Sequence, residues 1–137
     1  MKDLIDKLPL NFRLEEKDLT FAGIKTWSAL KCLSQKDLIE ISSKGSSNIR
    51  SLKRLKVMAI FICDLNISQP QAALIIHSGF STINSLANAT PQEIIQKTGR
   101  LERQLRIDQS QIVNLASANN LIRKAKEITF EQKINQI

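Results

Sequence analysis

The chain has 137 residues and a mass of 15.4 kDa, with 42% hydrophobic and 24% charged residues, which suits one domain or two very small ones. Four Gly and three Pro are too few for a turn-rich β-sandwich or a long disordered chain. One His, two Cys and no Tyr leave little for a metal site or His-dependent catalysis, while a formal net charge of +7 and a pI near 9.7 point to polyanionic partners.

The N-terminal Met-Lys-Asp-Leu-Ile-Asp-Lys carries an acid on each side of a short apolar pair and lacks the apolar core of a signal peptide. The longest apolar run, residues 57–63, is closed by Lys56 and Asp64. It is far short of the ~20 residues that span a bilayer. Cys32 and Cys63 form no C-x-x-C and fall within apolar periodicities, so they read as reduced, buried thiols. The expectation is a cytoplasmic protein that does not engage a membrane.

Nearly every segment reads as helix. Leu4, Ile5 and Leu8 keep helical spacing up to Pro9. Residues 14–21 form a short helix ended by Ala22-Gly23, and Trp27, Leu30 and Leu33 continue the pattern. Ser34-Gln35-Lys36-Asp37 is a capping box ahead of Leu38, Ile39 and Ile41. Residues 42–48 are a polar turn. A longer helix follows over Ile49 to Leu65, with Ile49, Leu52, Leu55, Ala59, Ile60 and Cys63 on its apolar side. Ser68-Gln69-Pro70-Gln71 starts the next helix, which ends at Ser78-Gly79. Ile83, Leu86 and Ala87 repeat the spacing, and Thr90-Pro91-Gln92-Glu93 is a second capping box. Thr98-Gly99-Arg100 reads as a turn. Ser110 then begins a helix through Ile112, Leu115, Ala118, Leu121, Ile122 and Ala125. The tail to Ile137 either extends it or forms a short helix of its own. Its Ile128, Phe130, Ile134 and Ile137 either fold back onto Leu4, Ile5 and Leu8 or form a docking face for a partner.

The two cycles form an internal repeat. A shift of 56 residues sets Gly23 on Gly79, Thr26 on Thr82, Leu30 on Leu86, Ser34 on Thr90, Asp37 on Glu93 and Leu38 on Ile94. Apolar positions, turn glycine and helix cap all match, which amphipathic spacing alone does not produce.

The pattern Gly-Ile-x-Thr, then Leu, then Ser-x-x-Asp-Leu (residues 23–38) resembles the tandem helix-hairpin-helix class. The chain also looks like small cyanobacterial proteins built on such repeats, whose family is described only as a domain of unknown function. The resemblance implies an all-α protein of two fused helix-hairpin-helix-like repeats packed as one compact domain over residues 1–137. Repeat 1 covers about 14–65, repeat 2 about 68–126, and the tail 127–137. In that class a Gly-hydrophobic-Gly hairpin and the following helix N-terminus hold a DNA phosphate. Here Gly45 matches the second Gly, Ser43 replaces the first and Lys44 replaces the hydrophobic residue; in the second copy Lys97-Thr98-Gly99-Arg100 retains one Gly.

The positive charge sits at and after the two presumed hairpins. Residues 1–43 hold seven basic and seven acidic residues. Residues 44–56 hold Lys44, Arg50, Lys53, Arg54 and Lys56 with no acid, and residues 97–106 hold Lys97, Arg100, Arg103 and Arg106 against Glu102. A third cluster is Arg123, Lys124 and Lys126. A helix N-terminus offers unsatisfied N–H groups and partial positive charge. Ser46, Ser47 and Asn48 are placed to bond a phosphate there, with Lys44 and Arg50 beside it. Two such grips hold two phosphates of one duplex in a sequence-tolerant, salt-sensitive way. The candidate nucleic-acid-binding residues are therefore Lys44, Gly45, Ser46, Ser47, Arg50, Arg54, Arg100, Arg103 and Arg106. The competing readings are a protein-binding adaptor that takes an acidic surface on the same patch, and a merely solvated charged face. The six aromatics are scattered, mostly at apolar positions, so stacking on single strands is the weaker version.

No phosphate-loop, dinucleotide or zinc-protease motif is present. His77 closes a helix, Trp27 reads as a core anchor, and Glu15, Glu16 and Asp18 read as charges near a helix N-terminus. The expected function is a non-catalytic nucleic-acid-binding protein, DNA or structured RNA, with no cofactor and no metal.

Overall fold

The computed structural model describes residues 5, 8, 12–104 and 114–135, with the side chains of all of these except 101–104 and 135. The described residues fold into eight helices: α1 (Arg13–Phe21), α2 (Trp27–Lys31), α3 (Gln35–Lys44), α4 (Ile49–Leu65), α5 (Gln69–His77), α6 (Ile83–Ala87), α7 (Pro91–Gln104) and α8 (Leu115–Asn135). The chain divides into two compact units, Met1–Gln69 and Pro70–Ile137. The division falls between residues 65 and 70, where the two repeats are read to join.

In the first unit α4 packs against α2 and α3, and α3 also meets α1. The buried positions of α4 are Leu52, Leu55, Met58, Ala59, Phe61, Ile62 and Leu65. This face is broader than the expected one, because α4 has helices on more than one side; Ile49, Ile60 and Cys63 are only partly covered. Trp27 and Leu30 of α2 and Leu38 of α3 are buried in the same way, so Trp27 is a core anchor. In the second unit α8 packs on α6 and α7 through buried Ala118, Leu121, Ile122 and Ala125.

The helix starts follow from local chemistry. Thr26 Oγ1 accepts from Ala29 N (3.1 Å), and Ser34 Oγ accepts from Asp37 N (3.1 Å) while the Asp37 carboxylate takes Ser34 N (2.9 Å). Each cap satisfies amides that have no partner inside the helix. The same devices recur 56 residues on, at Thr82 with Ser85 N (3.0 Å) and Thr90 with Glu93 N (3.1 Å). Helices α5, α6 and α7 each begin 56 residues after α1, α2 and α3. Gly23 (φ +82°) and Gly79 (φ +109°) occupy equivalent left-handed turns, a backbone region that strains other residues. The correspondence ends at α7, which has 14 residues where α3 has 10. The cap Asn114, equivalent to Asn48, lies 66 residues on, with its side chain on Ser117 N (2.9 Å).

Four expectations are corrected. Ile5 and Leu8 are not helical: Ile5 N donates to Lys25 O (3.1 Å) and Leu8 N to Glu16 Oε2 (3.0 Å), while Leu4 lies outside the described residues. Residues 42–44 belong to the last turn of α3, and the turn itself begins at Gly45. Thr98-Gly99-Arg100 is not a turn but the middle of α7. Thr98 is buried, and its hydroxyl donates to Ile94 O (2.8 Å), one turn back, so a polar side chain is carried inside a continuous helix. Cys32 caps the end of α2 and is exposed, not buried; Cys63 is half-buried, and both are free thiols. The expected helix start at Ser110, with Ile112, lies outside the described residues. The tail as far as Asn135 continues α8 rather than forming a helix of its own. Among the described residues no helix is long and apolar enough to cross a membrane.

Candidate functional site

The loop from Gly45 to Asn48 joins α3 to α4 and is where the sequence places a phosphate grip. Its amides are engaged from within the protein. Asp18 of α1 takes Ser46 N and Ser47 N on Oδ2, each at 2.9 Å, and the same oxygen takes the Ser47 hydroxyl in a short hydrogen bond. Glu15, one turn earlier and buried, takes Asn48 N (3.1 Å). The loop is closed further by Ser42 Oγ donating to Ser47 O (2.8 Å) and by Asn48 Oδ1 accepting Arg50 N (2.8 Å) as the cap of α4.

Gly45 is needed for this arrangement for lack of a side chain, not for its φ. A β-carbon there would run into the Asp18 carboxylate. The charge complementarity of α4's positive N-terminus is thus supplied internally by two carboxylates. Glu15 and Asp18 hold the loop, a role the sequence reading missed. They lie 28 to 33 residues from their partners, and local spacing carries no sign of it.

The cations are arranged differently. Lys44 is exposed and bridges Glu40 at 2.9 Å, an ordinary i,i+4 surface pair. Arg50, Lys53 and Arg54 are all exposed on the first two turns of α4. Their i, i+3, i+4 spacing puts them on one face. None of the three makes an ion pair among the described residues. Lys53 therefore joins the residues singled out from sequence. Lys56 is half-buried and acts on Asp37 of α3.

In the second unit Arg100 is exposed on α7 and so is a helical side chain, not part of a hairpin. Arg103 lies on the same helix, its side chain outside the described residues, and Arg106 lies wholly outside them. Lys97 pairs with Glu93 (3.4 Å) and lies over the Phe80 ring, 5.1 Å from its centroid.

Asp37 and Lys31 are shifted from their ordinary values by the groups bonded to them. The Asp37 carboxyl is held below its ordinary value by the Ser34 amide and hydroxyl. The Lys31 ammonium is held above its ordinary value by its bond to Asp64, which ties α2 to α4. Both are structural: one caps a helix, the other joins two.

The aromatics divide unequally. Phe12, Trp27, Phe61 and Phe80 are buried, but Phe21, at the last position of α1, is 92% exposed. It lies between two surface grooves of about 430 and 730 Å³, which share Asp18, Phe21, Lys44 and Gly45 in their walls. Phe130 of α8 is exposed as well, so four of the six aromatics are core residues and two are not. Among the described residues no cluster of His, Cys, Asp and Glu is placed to hold a metal ion.

The described residues define an all-α protein whose α3–α4 loop amides are closed internally and whose α4 carries three cations without an ion pair on one face. The chain belongs to the family described as a domain of unknown function (DUF4332), whose model matches residues 10–128. No curated protein and no solved structure matches it.

Proposed function

We propose that the protein is a non-catalytic nucleic-acid-binding module built on two helix-hairpin-helix-like repeats, and that it contacts the phosphate backbone through side chains of α4 rather than through hairpin amides. The observation that carries this reading is the set Arg50, Lys53 and Arg54. A cation in the first turn of a helix opposes its dipole, at a typical cost of about 0.3–1 kcal/mol that fades beyond that turn; Arg50 stands there, with Lys53 and Arg54 one turn on. The first turn of α4 holds no acid to offset them. Glu15 and Asp18 answer the loop amides at the start of the helix, but among the described residues no acid pairs with these three side chains, which leaves them open to an external polyanion.

Backbone contact through Arg and Lys positions a duplex without reading its sequence. The expected behaviour is sequence-tolerant binding with a steep salt dependence. Fluorescence anisotropy with labelled duplex DNA and hairpin RNA, titrated across salt, tests it. Micromolar binding whose slope corresponds to about three released counterions supports the reading; no binding at low salt removes it.

A second reading rests on α8. Phe130 (63% exposed) and Ile134 (51%) are one turn apart on the end of that helix and face solvent. An apolar pair of this kind suits an adaptor that docks a protein partner. Retention of a partner by the intact protein but not by a Phe130→Ser variant would support it.

A further inference from the structure

We infer that Phe21 is a stacking platform for an unpaired base and that Arg13 and Lys17 carry the phosphates of the same strand. This extends the proposed function and rests on it, by naming single-stranded or looped nucleic acid as a substrate class. Arg13, Lys17 and Phe21 stand at i, i+4 and i+8 of α1 and are all exposed. They share one side of the helix, with the two cations about 6 and 12 Å back along the axis from the ring.

The groove beside this row, about 730 Å³, is walled by Arg13, Lys17, Phe21 and Lys44 together with Glu16 and Asp18. Both of those acids are committed elsewhere. Glu16 takes Leu8 N, and Asp18 takes the amides of Ser46 and Ser47. Neither Arg13 nor Lys17 makes an ion pair among the described residues. The bonds to Glu16 and Asp18 come from neutral amides and leave both carboxylates charged, so the groove is mixed in sign; what it offers a strand is two cations without an ion pair, Arg13 and Lys17, in line with a planar apolar ring.

The exposure of Phe21 is otherwise costly. Burial of a Phe ring stabilises a fold by removing apolar area from water, and this one, 92% exposed, forgoes nearly all of that gain. Every base offers a flat face, so an exposed ring flanked by cations recognises an unpaired nucleotide without regard to its identity. A paired base inside a duplex does not present that face. Phe21 therefore sets the strand state that is bound, while α4 sets the general attraction for phosphate.

The test uses the full chain, a fluorescein-labelled oligothymidylate of about fifteen nucleotides, an abasic oligomer of equal length and a duplex. Phe21→Ala is expected to weaken oligothymidylate binding about tenfold and to leave the abasic oligomer and the duplex unchanged. Phe21→Trp is expected to restore the affinity. Circular dichroism checks that both variants fold, as a side chain this exposed allows. Unchanged oligothymidylate binding by Phe21→Ala overturns the inference, and so does an equal loss on the abasic oligomer. If the wild-type protein binds the duplex while Phe21→Ala has no effect on any probe, the stacking platform alone fails. If the wild-type protein binds none of the probes at low salt, the parent reading fails with it.

Discussion

The Asp18 carboxylate lies where a β-carbon of residue 45 would be, so Gly45 and Asp18 fit together only because one of them lacks a side chain. From that position Asp18 closes the amides of Ser46 and Ser47. Removing it leaves two loop donors without their charged acceptor. Loss of charged hydrogen bonds of this kind costs about 1–3 kcal/mol. Asp18→Ala should therefore lower the free energy of unfolding by that amount, read as a lower denaturant midpoint at unchanged slope, and Gly45→Ala should do the same by driving the carboxylate out. Chemical denaturation of both variants checks it. A Gly45→Ala protein as stable as wild type would contradict the fit.

Gly99 and Gly79 should respond to alanine in opposite directions. Gly99 is inside α7, where Ala is favoured over Gly by about 0.5–1 kcal/mol. Gly79 stands at φ +109° and loses stability with any side chain. Thermal melts of Gly99→Ala and Gly79→Ala should shift up and down respectively. A fall for Gly99→Ala would restore the turn that the sequence suggests at Thr98-Gly99-Arg100.

The capping box of α3 gives a pH dependence of known sign. The folded-state value of Asp37 is depressed, so its contribution is fully present above the unfolded value and is lost as pH falls through the folded one. Acid titration of α3 amide exchange should show faster opening at low pH in wild type. Asp37→Asn should flatten that acid-side response. Equal acid sensitivity in both proteins would rule the cap out as its source.

Lys31 has the opposite sign. Its value is raised by Asp64, so the stabilisation is present below the unfolded value and is lost only as pH rises through the folded one. The pair is partly exposed, at 40% and 25% for the two side chains, which places its worth within about 1 kcal/mol. Lys31→Met should cost no more than that at neutral pH. A loss of several kcal/mol would mean that the contact organises the α2–α4 packing as well.

What was readable in the sequence and what was not divides by range of interaction. Thr26, Ser34, Thr82 and Thr90 announce their helices because each cap bonds an amide three residues away. Gly23 and Gly79 mark turns for the same local reason. The 56-residue shift found in the letters is the shift between helix starts. Gly99 misled because Thr-Gly is a turn signal in isolation, whereas the helix continues through a buried threonine bonded to its own backbone. Ser46 and Ser47 were correctly placed in the loop, but the carboxylates of Glu15 and Asp18 reach their partners across the fold. Phe21 has the composition of a core residue, and only the end of α1 leaves it in solvent.

The central claim is that Arg50, Lys53 and Arg54 of α4 carry nucleic-acid binding. The most direct measurement is duplex DNA affinity across salt for wild type and for the triple variant Arg50→Glu, Lys53→Glu, Arg54→Glu, with circular dichroism to confirm the helices. The account predicts a loss of more than tenfold at low salt and a salt slope shallower by about 2–3. A folded triple variant with wild-type affinity and slope would contradict it.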